Sequence, residues 1–346
     1  MTPPQTTADR PRKLERIARI LDDRGTDRIL LTQPENLAWL LDGARTGVPL
    51  GGPPVFSATV HRDGEIVVTA LANEAERLAT EEIGGARIRA VDWFGDLGSP
   101  DVLTDADVAD DLRDARARLL PVERERYTAL GRDMARAMTT VLREAHPETT
   151  ERDLAAALAF AVIAAGAEPA VLLVAGSARG SVPHPLPTDA PIGRRALAVL
   201  TGRRHGLHAS LSRWVSFGEA EPDAQRAVRE VEADVFAVTR PGAALADILD
   251  GIRAGYARHG LGEDGWLRHH QGGPAGYAGR DPKVSPGVAG RVSAGQAFAW
   301  NPWAPGAKIE DTVIADADRI DVLTVDPAWP TVDVRGLARP IDLDLS

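Results

Sequence analysis

The chain has 346 residues and no cysteine. Disulfides, thiolate metal sites and a cysteine nucleophile are therefore excluded. It has no apolar run near the roughly 20 residues that span a bilayer, so a membrane partner is not expected. Its opening, "MTPPQTTADRPRK", has prolines and charges but no apolar segment, unlike a secretory signal. Residues 1–12 read as a disordered lead-in and the whole as a cytoplasmic protein. Basic runs and RNA-type aromatic motifs are also missing. With a net charge of -10, a broad nucleic-acid surface is excluded.

What is present begins with an amphipathic pattern. In "KLERIARILDDRG", Leu14, Ile17, Ile20 and Leu21 share one helical face, and Gly25 ends the run. "DRILLT" reads as a buried strand and "PENLAWLL" as a short helix. "PPVFSATVHRDGEIVVTA" reads as two strands joined at Asp63-Gly64, a strong hairpin signal. A helix over "EAERLATEEIG" and a strand over "ARIRAVDWF" complete a small α/β domain, 13–120.

A long helix is expected after Pro121, opening a second domain, 121–346. That domain contains an internal echo. "ARAMTTVLREAHPETTERDLAAALAFAVIAAGA" is helix, Pro turn, helix, Gly stop, and "ADVFAVTRPGAALADILDGIRAGYARHGL" repeats the plan. Thr150, with Asp153 three residues on, is placed to cap the second helix of the first copy. Two such halves, each leading into strands, predict a pseudo-twofold α+β domain.

Chemistry-bearing residues concentrate in "VPHPLPT", "GLHASLSRWVSFG", "RHHQGGPAGYAGRD", "AFAWNPWAP" and "KIEDTVI". In their order and spacing these stretches resemble the pita-bread fold of methionine aminopeptidase, prolidase, aminopeptidase P and creatinase. The first domain is similar to the amino-terminal domain of the prolidase and creatinase branch. The resemblance implies an α/β amino-terminal domain followed by an α+β pita-bread domain. It also implies a homodimer, in which Trp39 of "TQPENLAWL" would lie near the neighbouring subunit's cleft.

Peptidases of that fold hold two divalent ions with two Asp, one His and two Glu, a donor set suited to Mn, Co, Fe or Zn. The first Asp falls at Val199 or within a residue or two of it, where Leu200 and Thr201 carry no carboxylate either. The second falls at Ser210, the His at His270, and the Glu pair at Asn301 and Glu310. Three of five ligands are replaced, and each loss removes negative charge. The expectation is therefore no metal and no cofactor. A single ion on His208, His270 and Glu310 remains as an alternative, because His208 and Ser210 are two apart on a strand and face the same way.

Creatinase supplies a precedent for metal-free chemistry on this fold, with a histidine as general acid/base. The matching residue is His184, stiffened between Pro183 and Pro185. The resemblance then makes His184 the proton shuttle, with His270 and Glu310 as partners. "GRD" at 279–281 resembles a creatinase stretch whose Arg holds the substrate carboxylate, so Arg280 is expected to clamp an anionic group. Tyr277, Asn301, His208 and Trp39 are the other expected substrate contacts. Trp214, Trp300 and Trp303 are candidates for an aromatic wall, and Asp311 for a scaffold brace.

The leading expectation is metal-independent hydrolysis of a C–N bond in a small polar molecule or short peptide. The alternatives are a non-catalytic protein acting in binding or assembly, and a metallopeptidase of the aminopeptidase P or prolidase type with a rebuilt one-metal site.

Overall fold

The computed structural model describes residues 6–99 and 101–346. They form two compact units. One extends to Arg126 and takes in Arg204–Leu207, and the other comprises Tyr127–Arg203 and His208–Ser346.

In the first unit, α1 (Arg10–Arg24) buries Ile17, Ile20 and Leu21 and ends at Gly25, whose φ of 62° supplies the left-handed cap. Strands β1 (Arg28–Leu31), β2 (Phe56–His61), β3 (Ile66–Leu71), β4 (Arg87–Val91) and β5 (Leu103–Thr104) form one sheet in the order β4-β3-β2-β1-β5. The helices α2 (Pro34–Leu40), α3 (Ala72–Arg77) and α4 (Ala109–Ala117) complete it. The hairpin at Asp63-Gly64 forms as expected, with Gly64 at φ 92°. Sequence reading misses β5, which is only two residues long, and α4, whose charged "ADDLRDARA" buries only Leu112 and Arg116.

The lead-in differs from expectation. Residues 1–5 lie outside the described residues, but the chain is already fixed by Thr7 and α1 begins at Arg10. Thr7 donates to Asp42 through its amide and hydroxyl, and Arg10 pairs with Asp42 at 2.7 Å. Asp9 accepts from the amides of Val122 and Glu123. Buried Lys13 is held by the Trp39 carbonyl, Asp42 and Glu123. Polar anchors of this kind leave no apolar period to read.

In the second unit the echo becomes architecture. Helices α5 (Pro121–Arg143, its start counted with the first unit) and α6 (Glu151–Ala164) lead into β6 (Glu168–Ala175), β7 (Arg195–Arg204) and β8 (Leu207–Ser216). Helices α7 (Asp223–Val238) and α8 (Leu245–Arg258) lead into β9 (Gly272–Ala275), β10 (Gln296–Trp300), the two-residue strands β11 (Trp303–Ala304) and β12 (Ala307–Lys308), and β13 (Asp311–Ala315). Strand β14 (Ile320–Val322), the hairpin β15 (Thr331–Val334) with β16 (Leu337–Pro340), and β17 (Leu343–Asp344) follow. Two four-stranded sheets result, ordered β17-β8-β7-β6 and β14-β13-β10-β9. The capping box forms, with the Thr150 hydroxyl accepting from the Asp153 amide at 3.0 Å. Phe298, Trp300 and Val313 pack on Ile248, Leu249 and Ile252, so the second sheet is sealed by α8.

Below this sheet lies a buried ionic brace. Asp311 accepts from Arg213 at 2.9 Å and from Arg339 at 2.6 Å, and Arg339 also forks onto Glu232 at 2.7 and 2.8 Å. Each charge has an opposite partner and hydrogen bonds, which is the condition for tolerating burial.

Candidate active site

Three imidazoles converge in the second unit. His184 comes from the Pro-stiffened loop after β6, and His269 and His270 from the segment between α8 and β9. The Nε2 atoms of His184 and His269 are 3.2 Å apart. Ring centroids of His269 and His270 are 4.5 Å apart and those of His184 and His270 5.6 Å. One nitrogen from each ring falls within 4.8 Å of the other two. His184 is exposed, His270 half-buried and His269 buried, with Trp303 stacked beside His269 at 6.2 Å. The Nδ1 atoms of His269 and His270 are buried without a hydrogen-bond partner.

Two glycines hold this segment in place. Gly272 and Gly273 have φ of 98° and 145°. A Cβ on the first would lie 2.1 Å from the Ala299 carbonyl oxygen, and on the second 2.5 Å from that of Pro282. Only glycine permits β9 to lie this close to β10 directly after the histidines.

The surroundings are cationic. Burial first, then the charge of Lys308, lowers the pKa of His184 and takes that of His269 to about 2. Burial and Arg280, then Lys308, take His270 to about 4. All three rings are neutral at physiological pH. Buried Lys308 has its own pKa lowered by burial, with Glu310 opposing.

The expected residues are distributed unevenly. His184 and His270 join the cluster. Glu310 is next to it, but its carboxylate is taken by Arg280 on one oxygen and Lys308, 3.7 Å away, on the other. Arg280 also donates to the Gly279 carbonyl, so it stands as the partner of Glu310 and not as a free anion clamp. Asn301 is buried with its Oδ1 unpartnered. His208 is not in the group: its ring nitrogen lies 3.3 Å from the Gly276 carbonyl, and its own carbonyl accepts from Tyr127. Tyr277 is buried. Trp39 is fully buried in the other unit. Of the three tryptophans, Trp300 is core and Trp214 is stacked under Arg195, leaving only Trp303 beside the histidines.

His269 and Lys308 escape sequence reading. Neighbours on a strand point to opposite faces, so a strand-like reading of "HH" admits one histidine. The doublet in fact precedes β9, in irregular chain where both rings turn the same way.

The two-ion centre of the resembling peptidases does not fit these residues. Val199 is packed among Leu173, Ala175, Leu197 and Trp214. Thr201 and Ser210 share a hydroxyl hydrogen bond of 2.9 Å where carboxylates would be needed. Glu310, where the resemblance expects a metal-ligating acid, is paired with Arg280 and Lys308.

Comparison with known proteins agrees with this architecture. Residues 125–317 match metallopeptidase family M24. A probable dipeptidase PepE of Mycobacterium bovis is 29% identical over 188 residues, which covers 50% of this chain and 49% of that protein. The chain thus spans about half the length of the curated relatives it matches. Among solved structures, dipeptidase PepE from Mycobacterium ulcerans superposes with a TM-score of 0.75 at 21% identity, covering 93% of this chain and 97% of that one. The Xaa-Pro dipeptidase from Bacillus anthracis does so with a TM-score of 0.74 at 17% identity, covering 97% and 100%. Two helix-pair-and-sheet halves that follow a small α/β unit in the sequence match the pita-bread plan, and the chain belongs to metallopeptidase family M24.

Proposed function

We propose that this chain hydrolyses the amide bond of a short peptide or peptide-like small molecule at a centre formed by His184, His269 and His270, which together hold one divalent transition-metal ion. The observation that carries the reading is the convergence of three ring nitrogens within 4.8 Å of one another. Tetrahedral zinc bonds of about 2.0–2.1 Å set ligand nitrogens roughly 3.3 Å apart, and the His184–His269 pair is already at 3.2 Å. Three imidazoles suit zinc, cobalt, nickel, copper or iron and leave a position open for water or substrate. A bound ion would supply Lewis acidity and a water acidified enough to attack a carbonyl.

Membership in a metallopeptidase family favours this one-metal alternative over metal-independent acid–base catalysis. The ligand set moves from His208, His270 and Glu310 because Glu310 is occupied by Arg280 and Lys308, and His208 lies outside the histidine group. The chain's own residues then have distinct tasks. The loop prolines hold His184 at the open side. Trp303 walls His269. The unpartnered Oδ1 of Asn301 would accept an N–H of the substrate.

The test combines metal content with turnover. Protein freed of metal by chelator is dialysed against Zn, Co, Mn or Fe salts, assayed for bound ion per chain, and offered a dipeptide panel. One ion per chain, lost in His269→Ala, with hydrolysis that follows occupancy, is expected. Hydrolysis by metal-free protein would return the metal-independent reading. Binding retained in His269→Ala would overturn the ligand set.

A further inference from the structure

The first unit carries a second feature that peptide hydrolysis does not use. On α1, Arg12, Glu15, Arg16 and Arg19 fall at spacings of three, four and seven and so share one face. Opposite them stand Arg118, Leu119 and Leu120, from the connection between α4 and α5, and Pro121 and Arg124 from the first turn of α5. Together they line a cleft of about 490 Å³, within the range of small-molecule sites.

Five arginines and one glutamate line this cleft in a chain whose net charge is -10. Some exposed arginines elsewhere meet acids: Arg24 reaches Asp111 at 2.6 Å, Arg62 reaches Asp22 at 2.9 Å and Arg152 reaches Asp189 at 2.7 Å. Among the described residues, Arg12, Arg16, Arg19 and Arg118 form no ion pair. The contrast holds within α1, since Arg10 and Lys13, on another face, are buried against Asp42 and Glu123. Arg16, one of the lining residues, is pinned by donating to the carbonyls of Ala115 and Arg118 at 2.6 and 3.0 Å. Burial, and beyond it the like charges of Arg118, Arg19 and Arg12, lower its pKa against the pull of Glu123. A dianionic or trianionic guest would relieve that repulsion.

We propose that this cleft binds a phosphate-bearing small molecule, with a nucleoside di- or triphosphate as the class that fits it. Guanidinium forks match phosphate oxygens two at a time. Leu119, Leu120 and Pro121 offer an apolar wall for a flat body. The site is separate from the histidine centre in residues and chemistry, and does not depend on the hydrolytic reading.

The experiment is calorimetric titration of the full chain with ADP and with inorganic pyrophosphate at about 0.15 M ionic strength. The unmodified chain is compared with Arg12→Gln/Arg19→Gln, and with Arg62→Gln as a surface-charge control. Both altered arginines are exposed, so folding is expected to survive, and circular dichroism checks that. Saturable binding that weakens at least about tenfold in the double variant and is unchanged in the control is the expected result. Tighter binding of ADP than of pyrophosphate supports a role for the apolar wall, and equal binding confines the guest to the anionic group. No saturable binding, or equal loss in the control, overturns the proposal. So does a double variant whose only change is in oligomeric state, since the face would then be an interface.

Discussion

His184 and His269 face each other Nε2 to Nε2 at 3.2 Å, although 85 residues separate them in the chain. With neither ring protonated, one nitrogen must donate to the other, or both must point lone pairs at a shared guest. The second arrangement makes His269, the buried member, the residue whose loss matters most. His269→Ala should abolish stoichiometric metal binding and reduce dipeptide turnover by about 100-fold or more, while the melting temperature of metal-free protein falls by only a few degrees. Elemental analysis, turnover and thermal melts on the same preparation separate loss of the ion from loss of the fold.

Lys308 acts against any cation in the cluster, since its charge disfavours protonation of all three histidines. Lys308→Met should therefore tighten metal binding, by roughly tenfold for an electrostatic change of about 1.4 kcal/mol. Glu310 keeps Arg280 as its partner in that variant. Competition against a chromophoric chelator reads the constant directly, and weaker binding would place Lys308 among the supports of the site.

Acid should destabilise the metal-free chain through the same rings. His269 titrates near 2 when folded, against an ordinary value of 6.5. Between those limits the unfolded chain binds a proton that the folded chain refuses. Stability is therefore full above pH about 6.5 and is lost as pH falls below it. Each such group adds a slope approaching about 1.4 kcal/mol per pH unit. Urea midpoints from pH 7.5 down to 5 should show this slope, and His269→Gln should make it shallower. An unchanged slope would mean that other groups control acid unfolding.

Arg339 holds Glu232 and Asp311 together at full burial. Arg339→Met strands the buried Glu232 carboxylate, while Asp311 keeps Arg213, and should cost about 3–5 kcal/mol. Equilibrium urea unfolding measures it, and a cost below about 1 kcal/mol would show that the brace relaxes onto Arg213.

Much of this molecule was legible in its sequence because apolar period and turn chemistry carry the information. Ile17, Ile20 and Leu21 mark α1, Gly64 marks a hairpin, and Thr150 with Asp153 marks a helix start. The helix-pair echo led to the two-sheet unit. The lead-in was misjudged because Thr7, Asp9 and Arg10 are held by long-range polar contacts with Asp42, Val122 and Glu123, which leave no local trace. His184 and His270, singled out by motif position, lie together in the histidine cluster. His269 needed the irregular chain before β9, and the Glu310–Arg280–Lys308 grouping needed the closure of the second sheet. Charge pairing between segments has no periodicity, so sequence named the ingredients without saying which cation would meet which acid.

Gly272 and Gly273 give the site a genetic signature. Any side chain there runs into the backbone of β10 or of Pro282, so the histidine segment would be pushed off its strand. In a library of all single substitutions selected for activity, these two positions should tolerate as little as His269 does. They carry no functional group, so a map of intolerant positions would draw the centre larger than its chemistry. Comparing metal retention at Gly273→Ala and His269→Ala distinguishes a displaced frame from a missing ligand.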